Sequence, residues 1–100
     1  MAEERIKVSP EVWSYTDDEH SDLTIEITIP GVKKKDISVK MHEDSLSLSA
    51  AREEFGYATT LSFCCPVKVA EAKAKYENGL LRIEVPFKTY MEDAVEVSVQ

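Results

Sequence analysis

Strict alternation of apolar and polar residues governs this sequence, most clearly where Leu23, Ile25, Ile27 and Ile29 are separated by Thr24, Glu26 and Thr28. A period of two places every second side chain on one face, so this segment reads as a strand with one face in a core and the other in water. Its β-branched content suits a pleated surface. The pattern recurs at Ile37, Val39 and Met41, at Leu46 and Leu48, at Leu61, Phe63 and Cys65, at Leu81, Ile83, Val85 and Phe87, and at Val95, Val97 and Val99. A less regular aromatic segment at residues 12–15 is expected to be a strand too. No stretch offers a long helical period, and one helical turn near Ala70, Glu71 and Ala72 is the most that the spacing supports.

Turn chemistry separates these runs. Asn78-Gly79 supplies the positive φ angles of a tight hairpin turn, with arms at residues 74–76 and 80–85. His42-Glu43-Asp44 reads as a second hairpin tip, and Pro30-Gly31 ends the first strand because proline lacks a ladder donor. Short strands at roughly ten-residue spacing with turns between them predict an all-β fold, an antiparallel immunoglobulin-like β-sandwich of about seven or eight strands. Residues 1–11 then form a short N-terminal tail, 12–88 the sandwich, and 89–100 a C-terminal extension or final strand, with Tyr90 to Asp93 as a linker.

At 100 residues there is room for one modest core. A net charge of −7 opposes binding to nucleic acid, and Lys33-Lys34-Lys35 is too short a basic run to reverse this. No apolar stretch reaches the length of a membrane span, and Met1-Ala2-Glu3-Glu4 lacks a signal-peptide pattern, so no membrane partner and a cytoplasmic location are expected. The adjacent Cys64 and Cys65 would point to opposite faces of an extended strand, poorly placed to bridge each other. Reduced thiols fit a reducing compartment.

The search for reactive constellations finds no catalytic, cofactor-binding or metal set. There is no nucleophile elbow and no phosphate-cradling glycine loop. His20 and His42 lie in acidic connections without a second ligand at metal-site spacing, and the acids between Asp17 and Asp22 lack a calcium-loop pattern. Cys64 has no neighbouring cation in sequence to activate it, so burial of Cys65 beside a passive Cys64 is the expected arrangement, with a redox switch as the sharper alternative. Trp13 and Tyr15 are expected in the core, the alternative being an exposed binding patch.

Two segments resemble small heat-shock proteins of the Hsp20/alpha-crystallin family. Pro30-Gly31-Val32-Lys33-Lys34-Lys35-Asp36-Ile37-Ser38-Val39 is similar to the family's Pro-Gly signature, and Ala74-Lys75-Tyr76-Glu77-Asn78-Gly79-Leu80-Leu81 to its Ala-x-x-x-Asn-Gly-Val-Leu hallmark, with Leu80 in place of Val. Asp17-Asp18-Glu19, Leu46-x-Leu48 and Cys65-Pro66 fall in the family's order, so the resemblance spans about residues 12–88. It implies an α-crystallin-type sandwich and a non-enzymatic, ATP-independent holdase that binds unfolded or partly unfolded proteins and prevents their aggregation. Without cofactors to bind, the residues expected at protein interaction are Val39, Met41 and Tyr76, with Val95, Val97 and Val99 resembling the family's C-terminal Ile-x-Ile anchor. Docking of that valine stripe on a neighbour and its addition to the chain's own sandwich both remain open.

Departures from the family shape these expectations. Between the Leu46 and Leu48 strand and the next, residues 51–58 are too few for an exchanged strand, so a loop-swapped dimer is not expected, although a homo-oligomer is allowed. A sandwich with a short loop and an acidic surface also resembles the p23 and CS co-chaperone domains, which implies the alternative of an adaptor docking on a larger chaperone or ATPase.

Overall fold

The computed structural model describes residues 6–19, 21–53, 55–89 and 94–100; the charged tail at 1–5, His20 and the linker at 90–93 lie outside the described residues. Among the described residues, eight strands form two four-stranded sheets. β1 (Ile6–Val8), β6 (Phe55–Ser62), β5 (Ser45–Ala51) and β4 (Ile37–His42) lie side by side in the first. β2 (Glu11–Thr16), β3 (Asp22–Thr28), β8 (Leu80–Pro86) and β7 (Lys73–Glu77) make up the second. This is the expected β-sandwich. All pairings between strands are antiparallel except β1 with β6, which runs parallel with Ile6 opposite Phe55 and Val8 opposite Tyr57.

The alternation sets the core. Leu23, Ile25 and Ile27 of β3 are buried with Ile29, and across the sandwich Leu46, Leu48 and Ala50 of β5 meet them. Leu81, Ile83 and Val85 of β8 complete the inner face, flanked by Phe87, Val67, Val32 and Tyr57. β3 and β8 are in register, with Ile25 opposite Ile83 and Leu23 opposite Val85, so inward residues of one strand abut those of the other. No polar or charged side chain is buried among the described residues. Cohesion therefore comes from apolar area removed from water, and the backbone groups are satisfied by the ladders.

Two connections decide how the sheets meet. The chain leaves β3, crosses between the sheets through Ile29, Pro30, Gly31 and Val32, and enters β4 after a short 3-10 turn at Lys34–Asp36. In the same sheet as β3, at the turn between β7 and β8, Asn78 (φ 49°) and Gly79 (φ 81°) both adopt the left-handed conformation that a two-residue hairpin turn needs. These two loops touch. The Ile29 N–H donates to the Gly79 carbonyl at 2.8 Å, and a Cβ at Gly79 would stand 3.0 Å from the Pro30 Cα. Glycine is required at 79 on both counts.

Several expectations need correction. β6 starts at Phe55 and ends at Ser62, so Phe63 and Cys65 continue the alternation without belonging to the strand. The β5–β6 hairpin is shorter than read from sequence, the Arg52 N–H donating to the Phe55 carbonyl at 2.8 Å and the guanidinium lying 4.8 Å from the Phe55 ring centroid. The helical turn falls at Val69–Glu71 and is 3-10. β1 carries too short an alternation to have been read as a strand. Residues 94–100 form no strand, and Val95, Val97 and Val99 are 80–94% exposed.

The core and the loop contact give different signatures on substitution. Ile27→Ala should lower unfolding free energy by about 2–5 kcal/mol, and Gly79→Ala by roughly 1–2 kcal/mol through the left-handed backbone alone. Ser47→Ala, on the outer face of β5, should change it by less than about 0.5 kcal/mol. Urea unfolding midpoints check all three.

Candidate functional site: the open edges of the sandwich

β4 and β7 are outermost in their sheets, and neither pairs with a second strand among the described residues. Ile37, Val39 and Met41 on β4 are half-buried and packed against the core, while Ser38, Lys40 and His42 face out. An edge of this composition offers both unpaired backbone groups and a row of apolar side chains. Next to it, Met41, Val67 and Val69 line a cavity of about 340 Å³ whose remaining wall includes Glu43 and Lys88. The Lys88 ammonium donates to the Glu43 carboxylate at 2.9 Å, and the Val67 N–H to the Glu43 carbonyl at 2.8 Å. Val69 begins the 3-10 turn that leads into β7, so the hollow lies between β4 and that turn, with His42, Glu43 and Lys88 as its polar half.

Tyr76 on β7 is half-buried, and its hydroxyl lies 3.0 Å from the Ile29 carbonyl and 2.8 Å from that of Val32. Its single proton serves both acceptors, which are the two ends of the crossover. Of the residues singled out from sequence, Val39 and Met41 thus share one strand face, Tyr76 stands on the partnering edge with its polar end already engaged, and the three valines extend into solvent. Val67 and Val69 were missed. The sequence signal was their spacing of two beside Pro66, obscured by the turn that interrupts it.

A second hollow, of about 230 Å³, opens between β2–β3 and β6, lined by Tyr15, Leu23, Ile25, Leu61, Phe63 and Cys64. Here the expectation that Trp13 and Tyr15 join the core is overturned: they are 64% and 47% exposed. Val12 takes the inward position of β2, which turns residues 11, 13 and 15 outward, and the Trp13 indole N–H donates to the Glu11 carboxylate at 2.9 Å. Partial burial, then a hydrogen bond to Glu26, raises the Tyr15 phenol above its ordinary pKa.

The cysteines also depart from expectation. Cys64 and Cys65 lie in a bend after β6, not on an extended strand, and neither is disulfide-bonded. The neighbouring Cys64 thiol, then some burial, raises the Cys65 thiol above its usual pKa. At the β4–β5 tip, the His42 ring nitrogen Nδ1 sits 3.1 Å from the Asp44 carboxylate and the Ser45 hydroxyl donates to it. These contacts, His42 first, hold the Asp44 carboxyl below the ordinary carboxylate range. Among the described residues no group of three or more His, Cys, Asp or Glu could hold a metal ion, and no helix is long and apolar enough to cross a membrane.

The sequence pattern of the Hsp20/alpha crystallin family matches residues 15–100. The chain belongs to this family. Its members are small heat-shock chaperones rather than enzymes. The chain is similar to "Small heat shock protein, chloroplastic" of Pisum sativum, 28% identical over 88% of this chain but only 43% of that protein. It is also 28% identical to "Probable 15 kDa heat shock protein" of Leptospira interrogans, over 94% of this chain and 82% of the relative. It thus spans less than half of the pea protein and most of the Leptospira one. In fold it is similar to heat shock protein 16.0 from Schizosaccharomyces pombe, with a TM-score of 0.77 at 17% identity, covering 94% of this chain and 77% of that one. The Hsp20 signatures Pro30-Gly31 and Asn78-Gly79 are the two loops that touch at the sheet crossover.

Two outcomes test this local chemistry. Tyr76→Phe should cost about 0.5–1.5 kcal/mol in unfolding free energy, the usual net worth of a hydrogen bond. His42→Ala should raise the Asp44 pKa toward that of an ordinary aspartate, seen by NMR titration of its side-chain carboxyl. Because folding depresses this carboxyl, its small stabilising effect on the hairpin is present above the unfolded pKa and fades as pH falls through the folded one.

Proposed function

We propose that this Hsp20-family chain is an ATP-independent holdase, binding unfolded or partly unfolded proteins along the open β4 edge and its apolar hollow and so keeping them from aggregating. The observation that carries this reading is an edge strand with Val39 and Met41 on one face beside a cavity to which Met41 and Val69 lend apolar surface. A client segment in extended conformation would add to the edge through backbone hydrogen bonds and place alternate apolar side chains in the hollow. Such recognition reads little sequence, which suits a protein that meets many unfolding chains. No step in it requires nucleotide or bond chemistry.

The same geometry supports a role for the valine tail. Val95, Val97 and Val99 sit at every second position of an exposed segment without secondary structure. In extended form they present one apolar stripe, matched in kind to the hollow beside Met41. In this reading the tail of one copy occupies the β4–β7 edge of another, builds a homo-oligomer and competes with clients for the edge. The three residues joining β5 to β6 leave no segment for strand exchange there, so assembly goes through the tail. The reading places the protein in the cytoplasm, a compartment in keeping with two adjacent reduced thiols. The adaptor alternative, docking on a larger chaperone, is not favoured by the family match.

Light scattering from an unrelated denaturing protein, mixed with this one at near-equal mass without nucleotide, tests the holdase. Suppressed aggregation is expected, and Met41→Asp should weaken it by placing a charge at the hollow, with circular dichroism checking that the sandwich stays folded. No suppression across several denaturing proteins, with the sandwich still folded, would overturn the reading. Deleting residues 94–100 should shrink the assembly, measured by light scattering with size exclusion, while the circular dichroism of the sandwich is retained.

A further inference from the structure

The open edge at β4 is interrupted by a single fixed charge. Its outward side chains are Ser38, Lys40 and His42, and His42 is engaged with Asp44 at the hairpin tip. Lys40 is exposed and stands opposite Ser47 of β5, with Ser45 and Ser49 two residues to either side on the same face. None of these neighbours is an acid, and Lys40 forms no ion pair among the described residues. A lysine on an open edge deters indiscriminate strand addition, because a joining strand must lie alongside an unneutralised ammonium. A segment that brings an acid to that one position removes the obstacle.

Residues 94–100 bring such an acid. Glu96 is their sole charged residue, set between Val95 and Val97, and the three valines of the segment are largely exposed. Lys40 lies between the second and third apolar residues of the stripe Ile37, Val39 and Met41, whereas Glu96 lies between the first and second valines. This offset distinguishes the two directions of docking. Directly opposed residues share a sheet face, so an antiparallel tail with the stripes matched sets Val95 against Met41, Val97 against Val39 and Val99 against Ile37. The same register puts Glu96 opposite Lys40. In a parallel tail with the stripes matched, Glu96 falls opposite Ser38 and Lys40 opposite Ser98. Bringing the charges together in that direction needs a slip of two residues, which leaves Ile37 uncovered and carries Val99 past Met41 to Glu43.

We infer that Lys40 is the specificity-determining residue of the β4 edge, selecting Glu96 of a second copy and fixing residues 94–100 of that copy antiparallel to β4. This rests on the tail-docking reading above and adds to it a direction, a register and a charge requirement. In the antiparallel register Val95 arrives beside Met41, at the hollow that Val67 and Val69 also line. The apolar stripe supplies contact area, and the charge pair decides which way the segment lies.

The test compares full-length chains by size exclusion with light scattering across a dilution series, with circular dichroism confirming the sandwich. Lys40→Glu and Glu96→Lys should each weaken assembly about three- to tenfold, as an exposed opposite-charge pair becomes a like-charge pair. The double exchange of K40E with E96K should restore it. Added salt should weaken assembly of the unmodified chain and have little effect on Glu96→Ser. Direction is read by moving the acid: Glu96→Ser combined with Ser98→Glu should weaken an antiparallel assembly, whereas a parallel tail would place the new acid opposite Lys40 and hold or tighten it. Single reversals without effect, no recovery in the exchange, or tighter assembly with the moved acid would overturn the inference. If any of these appears while deletion of residues 94–100 still shrinks the assembly, the tail docks without this charge code and the inference alone falls. If the deletion changes nothing, or the chain stays monomeric at every concentration, the docking reading falls and takes the inference with it.

Discussion

The crossover from one sheet to the other is anchored at its start by hydrogen bonds to β7 and the β7–β8 turn, and the path of the chain out of β3 depends on them. Ile29 reaches across to the Gly79 carbonyl through its backbone N–H, while the Tyr76 hydroxyl lies between the carbonyls of Ile29 and Val32. These groups bracket Pro30 and Gly31, where the chain turns out of β3 and where no ladder could satisfy its carbonyls. Each hydrogen bond has a modest net worth. Their importance lies in where they act, since leaving those carbonyls unsatisfied would carry a larger penalty than the bonds gain. The close approach of Pro30 to Gly79 adds steric fit to the same point.

With the joint in place, the remaining architecture follows from apolar packing between β3 and β8 on one side and β5 on the other. The sheets are closed through their centres and open at their sides, which leaves β4 and β7 as a matched pair of edges next to an apolar hollow. Charge is kept at the margin, where Lys88 and Glu43 pair across one end. A surface of this kind is suited to extended chains with alternating apolar residues, and the protein carries such a chain in its own valine segment. The β5–β6 hairpin is short, with Arg52 and Phe55 in contact at its ends.

The elements legible in the sequence were those whose local pattern and tertiary role agree. Ile25 and Ile27 alternate with polar residues because their strand has one wet face, and Asn78-Gly79 announces its turn because few other pairs tolerate two positive φ angles. Less legible were features decided by contacts distant in sequence. β1 is three residues long and pairs parallel to a strand some fifty positions away, which no local period reveals. Cys65 continues the spacing of Leu61 and Phe63, yet the chain has already bent at that point. Trp13 and Tyr15 misled because aromatic content suggested burial, whereas the register with β3 gives the inward place to Val12. At the candidate site, Val39 and Met41 were readable from alternation, while the Val67 and Val69 floor emerged from the fold alone.

The parallel seam between β1 and β6 bears on how this molecule meets others. β1 runs opposite Phe55, Gly56 and Tyr57 and so shields the near half of the β6 margin, leaving the stretch from Ala58 to Ser62 beyond it. A foreign strand approaching that side finds its template partly taken and must either displace three residues or begin beyond Tyr57. The first sheet is thereby asymmetric in its stickiness: the β6 margin is partly guarded by the chain's own leading segment, and the opposite margin, at β4, is left receptive.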